Sequence, residues 1–534
     1  MELTTRNIYS QNIICRGGMQ VTLEEDINVA DNKPDIDKIV KLQGDVLMGQ
    51  ITPFEERVTI KGELAFSLLY ITGDDLRPIH NMQGQIPFEE TINMEGLQPE
   101  SDVLYHFELE DLQAKLINSR KVSIRALLAL KCCQEEQKEL AAGTDIVSSL
   151  EDRADQASPD TPEGLYCLYD EFALTKLTSQ KKDVFRIRDQ VILPKGKPNV
   201  ETILYYEMDA GNLQHRPVDG GIRFLGDLKL FVLYLPENEE RRLEYLDIEL
   251  PFDDVLSCEE CGEEMIPDIE LLFTNKLLEL RPDEDGENRI LEVELNLNFR
   301  IRFYEDEHFK YLKDAYSTKC TLNLEKKQID TRKLLMKNQS ILRITDRIQI
   351  ADSSQPILQI CNPTGTVKID EQTIITDGIE LEGIVELDIL YITEDDAMPL
   401  SLAKGTLPFT HVIEIKGISP GDDYELDADI SQINVMMLDG QEIEAKVTLN
   451  LCAFVFTHRT GEIITGIEET PLDMERLQEM PGVIGYIAEE KEDLWDIAKS
   501  CNTTVEDIMS LNSLDRDYIG AGERILLVKQ IDGM

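Results

Sequence analysis

The stretch GELAFSLLYI, residues Gly62–Ile71, places an apolar side chain at every second position. Leu64, Phe66, Leu68 and Tyr70 therefore share one face of an extended chain. A period of two residues is that of a β-strand, whereas an amphipathic helix repeats every three to four residues. The stretch predicts a strand with one buried face.

The same pattern occurs twice more, as GDLKLFVLYL from Gly226 and GIVELDILYI from Gly383. In all three copies a tyrosine follows the glycine by 8 positions, and a Pro-Phe pair follows it by 25 positions. These shared residues are Tyr70, Tyr234 and Tyr391, with the pairs Pro87-Phe88, Pro251-Phe252 and Pro408-Phe409. The recurrence of both spacings in all three copies indicates an internal repeat.

The copies are offset by 164 and 157 residues, which is too long for a solenoid and predicts consecutive domains. One-sided alternation is typical of antiparallel sheets with one packed and one solvated face. The predicted fold is mainly β, with three β-sandwich or barrel-like modules. We expect the recurring glycine to allow close packing or a bulge, and the recurring proline to begin a strand. A further proline precedes each glycine by 28, 28 and 27 positions, at Pro34, Pro198 and Pro356.

The repeat predicts module boundaries at residues 1–133, 164–328 and 329–458. Residues 134–163 are polar and rich in Ala, Ser, Asp and Pro, which predicts a flexible linker about which the first two modules move. Residues 459–481 form a connector that has room for a short helix, and residues 482–530 form a separate terminal domain.

The chain carries 104 acidic against 53 basic side chains, a formal charge of -51. Such a field repels phosphate backbones and anionic lipid, so nucleic acid and membrane are excluded as expected partners. It attracts a cationic partner, or it simply keeps a large protein in solution.

The amino terminus lacks a secretory signal and no long apolar run occurs, so a cytoplasmic location is expected. Ten scattered cysteines then predict free thiols and no disulfide.

No motif predicts catalysis, and no cofactor is expected. The histidines are isolated, and no phosphate-binding loop is present. A Gly-x-Ser-x-Gly match at Gly417–Gly421 has Pro420 after the serine, so it lacks the N–H that an oxyanion hole requires. Cys258 and Cys261 have the spacing of half a zinc site, but no second pair follows, so either zinc or ordinary thiols remain open.

From Tyr486 onward the periodicity becomes helical. Leu494 and Ile497 mark the apolar face of one short helix, and Thr503 with Glu506 forms a capping box that starts another. A strand on each side gives a β-α-α-β unit. The whole fold is therefore predicted to be three β modules followed by a small α+β domain.

This terminal unit resembles a LysM domain, with matching landmarks at Leu494-Trp495, Ile497-Ala498, Thr504-Val505 and Gly522. The resemblance implies a shallow groove between two loops that usually binds N-acetylglucosamine polymers. Here the loop before the first helix reads Lys-Glu-Asp instead of the usual Gly-Asp-Ser/Thr, which leaves room for a groove adapted to protein. Trp495 is either a core residue or a sugar platform. The candidate groove residues are Lys491, Glu492, Asp493, Asn512, Ser513 and Leu514.

Three β-rich repeats followed by one LysM unit resemble the SipL family of spore coat morphogenetic proteins, whose repeated module is the SPOCS domain. The resemblance implies a non-enzymatic scaffold in the mother cell, at the forespore surface. It also implies that the LysM domain binds a SpoIVA-type coat-basement ATPase, with other coat proteins as further partners. Two other interpretations stay open: a protein that binds peptidoglycan or cortex glycan, and an enzyme whose site is assembled across modules.

Overall fold

The chain folds into three β modules and a small terminal α+β domain, which confirms the predicted fold class. Most of the described residues lie in strands. The computed structural model describes residues 1–73, 78–147, 164–237, 242–258, 261–262, 264–349, 355–479, 481–488 and 490–529.

In the ranges that the structure describes, each module contains six strands. Module one has β1 (Glu2–Asn28), β2 (Lys38–Phe54), β3 (Arg57–Ile71), β4 (Ile79–Asn93), β5 (Val103–Asn118) and β6 (Lys121–Val147). Module two has β7 (Leu165–Ile192), β8 (Val200–Val218), β9 (Gly221–Pro236), β10 (Glu244–Ser257), β11 (Ile266–Pro282) and β12 (Asn288–Ser317). Module three has β13 (Cys320–Gln349), β14 (Ile357–Ile375), β15 (Gly378–Thr393), β16 (Leu400–Glu414), β17 (Asp423–Met437) and β18 (Glu442–Pro471).

The six strands of a module pair into two antiparallel three-stranded sheets. In module one the strand orders are β1-β6-β5 and β2-β3-β4, and the other two modules repeat both orders. The alternating apolar faces of the two sheets enclose one core per module. Each module is therefore a β-sandwich, one of the two architectures that the alternation predicted.

The recurring tyrosine ties each sandwich to the turn that precedes its second strand. All three rings are inaccessible to solvent, and each hydroxyl donates a hydrogen bond to a main-chain carbonyl 36 residues earlier. The pairs are Tyr70 with Pro34 (3.3 Å), Tyr234 with Pro198 (3.3 Å) and Tyr391 with Gln355 (3.1 Å). The acceptor in module three is the residue before Pro356, so that proline is displaced by one position relative to its counterparts.

The recurring glycine and phenylalanine are partners across two strands. Gly62 of β3 lies opposite Phe88 of β4, and a Cβ at Gly62 would lie 2.6 Å from the end of the ring. The other two glycines face their phenylalanines in the same way, which confirms the close packing expected of them. The prediction that the recurring proline begins a strand is wrong for the Pro-Phe pairs: these prolines lie inside β4, β10 and β16. All three are edge strands, where a missing N–H is tolerated.

The first and last strands of every module extend beyond the sandwich as a long hairpin, and the three extensions pack on one another. Residues of all three extensions meet in one buried cluster, and those on the first strands are spaced by the same offsets as the recurring residues. On the first strands these are Ile8, Phe172 and Ile329, and on the last strands they are Ala142, Tyr311 and Ile463. The modules therefore surround a pseudo-threefold axis.

A second shared core joins the β2-β3-β4 sheet of module one to its counterparts. It includes the equivalent residues Leu69, Leu233 and Leu390, all of which are buried. Arg302 of β12 adds a polar contact, since its guanidinium lies 3.7 Å from Glu135 of module one and 2.6 Å from Glu425 of module three. These shared contacts contradict the prediction that the first two modules move relative to each other.

The hairpin extensions also correct three predicted boundaries. Residues 134–147, assigned to the linker, continue β6 and pair with β1; the rest of that predicted linker, 148–163, lies outside the described residues. Residues 320–328, assigned to module two, begin β13, and residues 459–471, assigned to the connector, end β18. Polar composition misled these predictions because the extended strands have one solvated face.

The described part of the connector contains one short helix, α1 (Met474–Glu479). The terminal domain follows as β19 (Val483–Ile487), β20 (Glu492–Asp493), α2 (Leu494–Cys501), α3 (Val505–Asn512), β21 (Tyr518–Ile519) and β22 (Arg524–Val528). β19 pairs with β22, and the two helices cover one face of that pair around Leu494, Ile497, Ile508 and Leu527. This is the β-α-α-β arrangement that the periodicity predicted, with one additional two-residue strand pair.

Candidate functional site

The two loops that carry the candidate residues lie side by side. β20 pairs with β21, with Glu492 opposite Ile519 and Asp493 opposite Tyr518. This short pairing joins the loop before α2 to the loop after α3. All six candidate residues lie on these loops or at the end of α3, but their side chains have different environments.

Lys491 is exposed and lies over an aromatic ring. Its ammonium is 4.3 Å from the centre of the Tyr518 ring, and the guanidinium of Arg516 is 5.0 Å from the same centre. Arg516 also forms an ion pair with Glu523. The pKa of the Glu523 carboxyl is lowered mainly by the hydrogen bond from the Gly520 N–H and, to a smaller extent, by Arg516. Two cations therefore lie at the one exposed aromatic ring of these loops. Sequence reasoning missed Arg516 and Tyr518.

Glu492 and Asp493 support the local fold. The Tyr486 hydroxyl donates to the Glu492 carboxylate at 2.5 Å, which ties the end of β19 to β20. Asp493 is the N-cap of α2, and its carboxylate accepts the N–H of Trp495 at 2.9 Å. A carboxylate at this position also interacts favourably with the positive end of the helix dipole.

Asn512 uses its side chain within the domain. Its amide nitrogen donates to the carbonyls of Ile508 and Leu526, and its amide oxygen accepts the N–H of Leu526, all within 2.8 Å. Ser513 is the C-cap of α3 in the left-handed conformation, and Leu514 packs against the core. Of the six candidates, Lys491, Asp493 and Ser513 are exposed, whereas Glu492, Asn512 and Leu514 are half-buried.

Trp495 does not line the loops. It is half-buried on α2, and its ring meets Tyr316 of module two edge-on, with 4.9 Å between the ring centres. Of the two alternatives for Trp495, the packing is that of a core residue rather than of a sugar platform.

A second surface of the domain was not predicted. The outer face of the β19-β22 pair carries four apolar side chains with 44% to 60% of their surface exposed: Val483, Ile487, Leu526 and Val528. The signal in the sequence is that VIGYI and RILLV are apolar on both faces, whereas the module strands alternate with polar residues.

The motifs weighed for catalysis lie in structural settings. Gly417–Gly421 is a turn in which the Ser419 N–H donates to Asp422 at 2.7 Å. Ser340 and His411 are 2.6 Å apart, a pair that sequence reasoning did not identify. Within the described part of the chain, no carboxylate accepts a hydrogen bond from the second nitrogen of His411, as a general-base histidine requires. No cluster of three or more potential metal ligands is found in the same part.

Cys258 and Cys261 are joined by a disulfide, which corrects the expectation that all ten cysteines are thiols. The pair follows β10, where hydrogen bonds of Cys258 and Cys261 to Gly220 close a turn that brings the sulfurs together. The other eight cysteines are free. A bond between the two sulfurs also leaves no thiolate pair for the zinc alternative.

No helix in the described ranges combines the length and the apolar composition that a bilayer span requires.

A family model described as SipL, SPOCS domain matches residues 35–117 and 356–438, in modules one and three. Both matches start 27 residues before the recurring glycine, so they have the register of the repeat. They cover β2 to β5 and β14 to β17, and the long hairpin strands lie outside them. Membership of module two in the same family stays a prediction from the repeat and the shared topology.

A LysM domain model matches residues 486–527, which span the terminal domain from β19 into β22. The resemblance to the SipL family, with SPOCS and LysM domains, is thereby confirmed. Both are binding-type domains without catalytic function. No curated protein and no solved structure matches the chain.

Proposed function

We propose that this SipL-like protein, a sporulation-related chain with SPOCS domains and a carboxyl-terminal LysM domain, is a non-enzymatic adaptor in spore coat assembly. The LysM domain binds a SpoIVA-type coat-basement ATPase, and the modules offer docking surfaces to other coat proteins. The adaptor acts in the mother cell, at the forespore surface. The observation that carries the proposal is the LysM loop surface, whose chemistry suits a protein better than a glycan.

A glycan is a poor fit to these loops for two reasons. A sugar ring needs an accessible aromatic face or free amide groups, and Lys491 and Arg516 already lie at the Tyr518 ring. The Asn512 amide makes three hydrogen bonds to the main chain and has little capacity left.

A protein with a cationic patch is a better fit. Glu490, Asp515 and Asp517 are exposed on the same loops, in a chain with a formal charge of -51. Complementary charge speeds encounter and selects partners. The exposed apolar face of the β19-β22 pair supplies the desolvated centre that protein interfaces need.

The test is co-precipitation of the full-length chain with a purified SpoIVA-type ATPase, alongside co-sedimentation with purified peptidoglycan. The variant Glu490→Lys/Asp517→Lys should lose the ATPase because it reverses the charge of the loops. The matched control Glu24→Lys/Glu382→Lys reverses two exposed carboxylates on modules one and three, and it should retain the ATPase. Equal retention by both variants would contradict the loop assignment.

The second candidate function is binding of peptidoglycan or cortex glycan. The match to a LysM domain favours it, since this type of domain usually binds such polymers. Retention by peptidoglycan, with none by the ATPase, would establish it in place of the adaptor.

A further inference from the structure

The LysM domain lies against the end of the β7-β12 hairpin of module two, and one stripe of α2 makes the contact. Trp495 and Lys499 are four residues apart, so they share one face of the helix, and Asn502 is its C-cap. All three contact residues near the end of β12. The stripe differs from the buried face of α2, which contains Leu494, Ile497, Ala498 and Cys501.

Asp314 of β12 is the polar centre of this contact. Its carboxylate accepts the indole N–H of Trp495 at 2.9 Å and the ammonium of Lys499 at 2.7 Å. The Asp314 side chain is only 12% exposed. A buried carboxylate requires hydrogen-bonded partners, and both of these partners belong to the LysM domain.

The electrostatics of Asp314 agree with the geometry. Burial by itself would raise the pKa of this carboxyl, but hydrogen bonds from Lys499 and Trp495 act against burial and the net pKa is lowered. The ionised form of Asp314 is therefore the form that the docked arrangement stabilises.

Tyr316 supplies the apolar half of the contact. Its ring stacks on Tyr166 of β7 at 5.2 Å and meets Trp495 edge-on. Its hydroxyl donates to the carbonyl of Thr503 at 3.1 Å, in the turn between α2 and α3. Tyr316 is only 5% exposed and belongs to the same buried cluster as the LysM core. The apolar core of the domain thus continues into module two.

We propose that Asp314 and Tyr316 form an intramolecular docking site that holds the LysM domain on module two in one orientation. The occupant is the α2 stripe of this same chain. Because α2 makes the contact, Lys491 and Tyr518 on the loops remain exposed, as do Val483 and Leu526 on the outer sheet face. Trp495 is accordingly an interdomain residue, and the three modules act as a platform that presents the LysM surfaces outward.

The test uses Trp495, which is the only tryptophan of the chain. Its emission maximum and its quenching by acrylamide report directly on the contact in the full-length protein. Asp314→Ala should shift the emission to longer wavelength and raise the quenching constant. Lys499→Ala should do the same from the opposite side. The double variant should change little beyond either single variant, because both substitutions remove one contact.

The matched control is Asp170→Ala, which removes an exposed carboxylate paired with Lys313 on the same hairpin; it should leave the emission unchanged. The chain unfolded in urea gives the upper limit for exposure of the indole. Emission of Asp314→Ala between wild type and that limit supports undocking of a folded LysM domain. Wild-type emission in Asp314→Ala, or emission at the unfolded limit, would overturn the proposal.

Discussion

Lys41 of module one places its ammonium 3.4 Å from the carboxylate of Glu207 in module two. The same ammonium donates to the hydroxyl of Thr364 in module three at 3.1 Å. Tyr205 and Asn362 also donate to Glu207, at 2.9 and 2.7 Å. One carboxylate therefore receives hydrogen bonds from all three modules.

Three of these residues occupy equivalent positions of the repeat. Lys41, Tyr205 and Asn362 are offset by 164 and 157 residues, and each follows a register shift in the second strand of its module. At a pseudo-threefold axis, identical residues would meet their own copies. A cation, a phenol and an amide converge instead on one carboxylate, so the three copies differ in their side chains at this point of the axis.

Lys41→Met should destabilise the protein strongly. The Lys41 side chain is 4% exposed, and removal of one partner from a buried ion pair costs about 3–5 kcal/mol. The measurement is the shift in thermal or urea unfolding. The control Lys404→Met removes an amine that is 75% exposed and pairs with Asp388 at 3.7 Å, which should cost about 1 kcal/mol or less. Equal effects of the two substitutions would show that the axis contributes no special stability.

Gly226→Ala should destabilise module two by overpacking. A Cβ at Gly226 would lie 2.6 Å from the Phe252 ring, and overpacking of this kind costs about 1–3 kcal/mol. In a Phe252→Leu background the cost of Gly226→Ala should fall, because the shorter side chain removes the clash. Gly196→Ala is the control, since a Cβ there meets no heavy atom within 4 Å. Urea unfolding of the four variants measures the coupling, and strict additivity would contradict the steric explanation.

The cysteine chemistry gives a direct count. After denaturation without reductant, alkylation should add eight labels to the chain, and after reduction it should add ten. Peptide mass spectrometry should locate the two additional labels at Cys258 and Cys261. Ten labels without reductant would restore the expectation of free thiols throughout.

His215 should remain neutral well below its usual range. Burial lowers its pKa to about 4, and the nearby charge of Lys337 contributes in the same direction. An unfolded histidine protonates near about 6.5, so between these values the unfolded chain binds more protons and stability falls as pH falls. The slope is at most about 1.4 kcal/mol per pH unit. His215→Gln should remove this contribution, and an NMR titration should place the midpoint of the wild-type imidazole near the lowered value. A midpoint in the usual range would contradict the burial of this ring.

Local periodicity was sufficient to identify the strands, because alternation of apolar residues follows directly from the pleat of a half-buried sheet. The repeat of Gly62, Tyr70 and Phe88 likewise fixed the module count and the register, since each of these residues serves a contact within its own module. The β-α-α-β unit could be predicted from the sequence for the same reason. Its helices are short, amphipathic and capped by residues adjacent in sequence, although Thr504, and not the predicted Thr503, is the N-cap of α3 and accepts the N–H of Asp507.

Sequence reasoning failed where partners are distant along the chain. The hairpin extensions at 134–147 and 459–471 are polar on one side, and only their pairing across the module and their packing on the other two modules define them as strands. The disulfide depends on a turn closed by Gly220, about 40 positions upstream.

The sequence by itself determined the strands, the three modules with their register and the terminal LysM-like domain, because each is specified by contacts between near neighbours or by a repeated local pattern. Only the tertiary structure decided how the modules meet around Glu207, which candidate side chains of the LysM loops are committed to the fold, and where Trp495 is buried. The meeting of the modules and the burial of Trp495 depend on contacts between residues more than 100 positions apart, such as Lys41 with Glu207 and Asp314 with Trp495. Such contacts leave no periodic pattern in the sequence, because they depend on how the chain between the two partners folds.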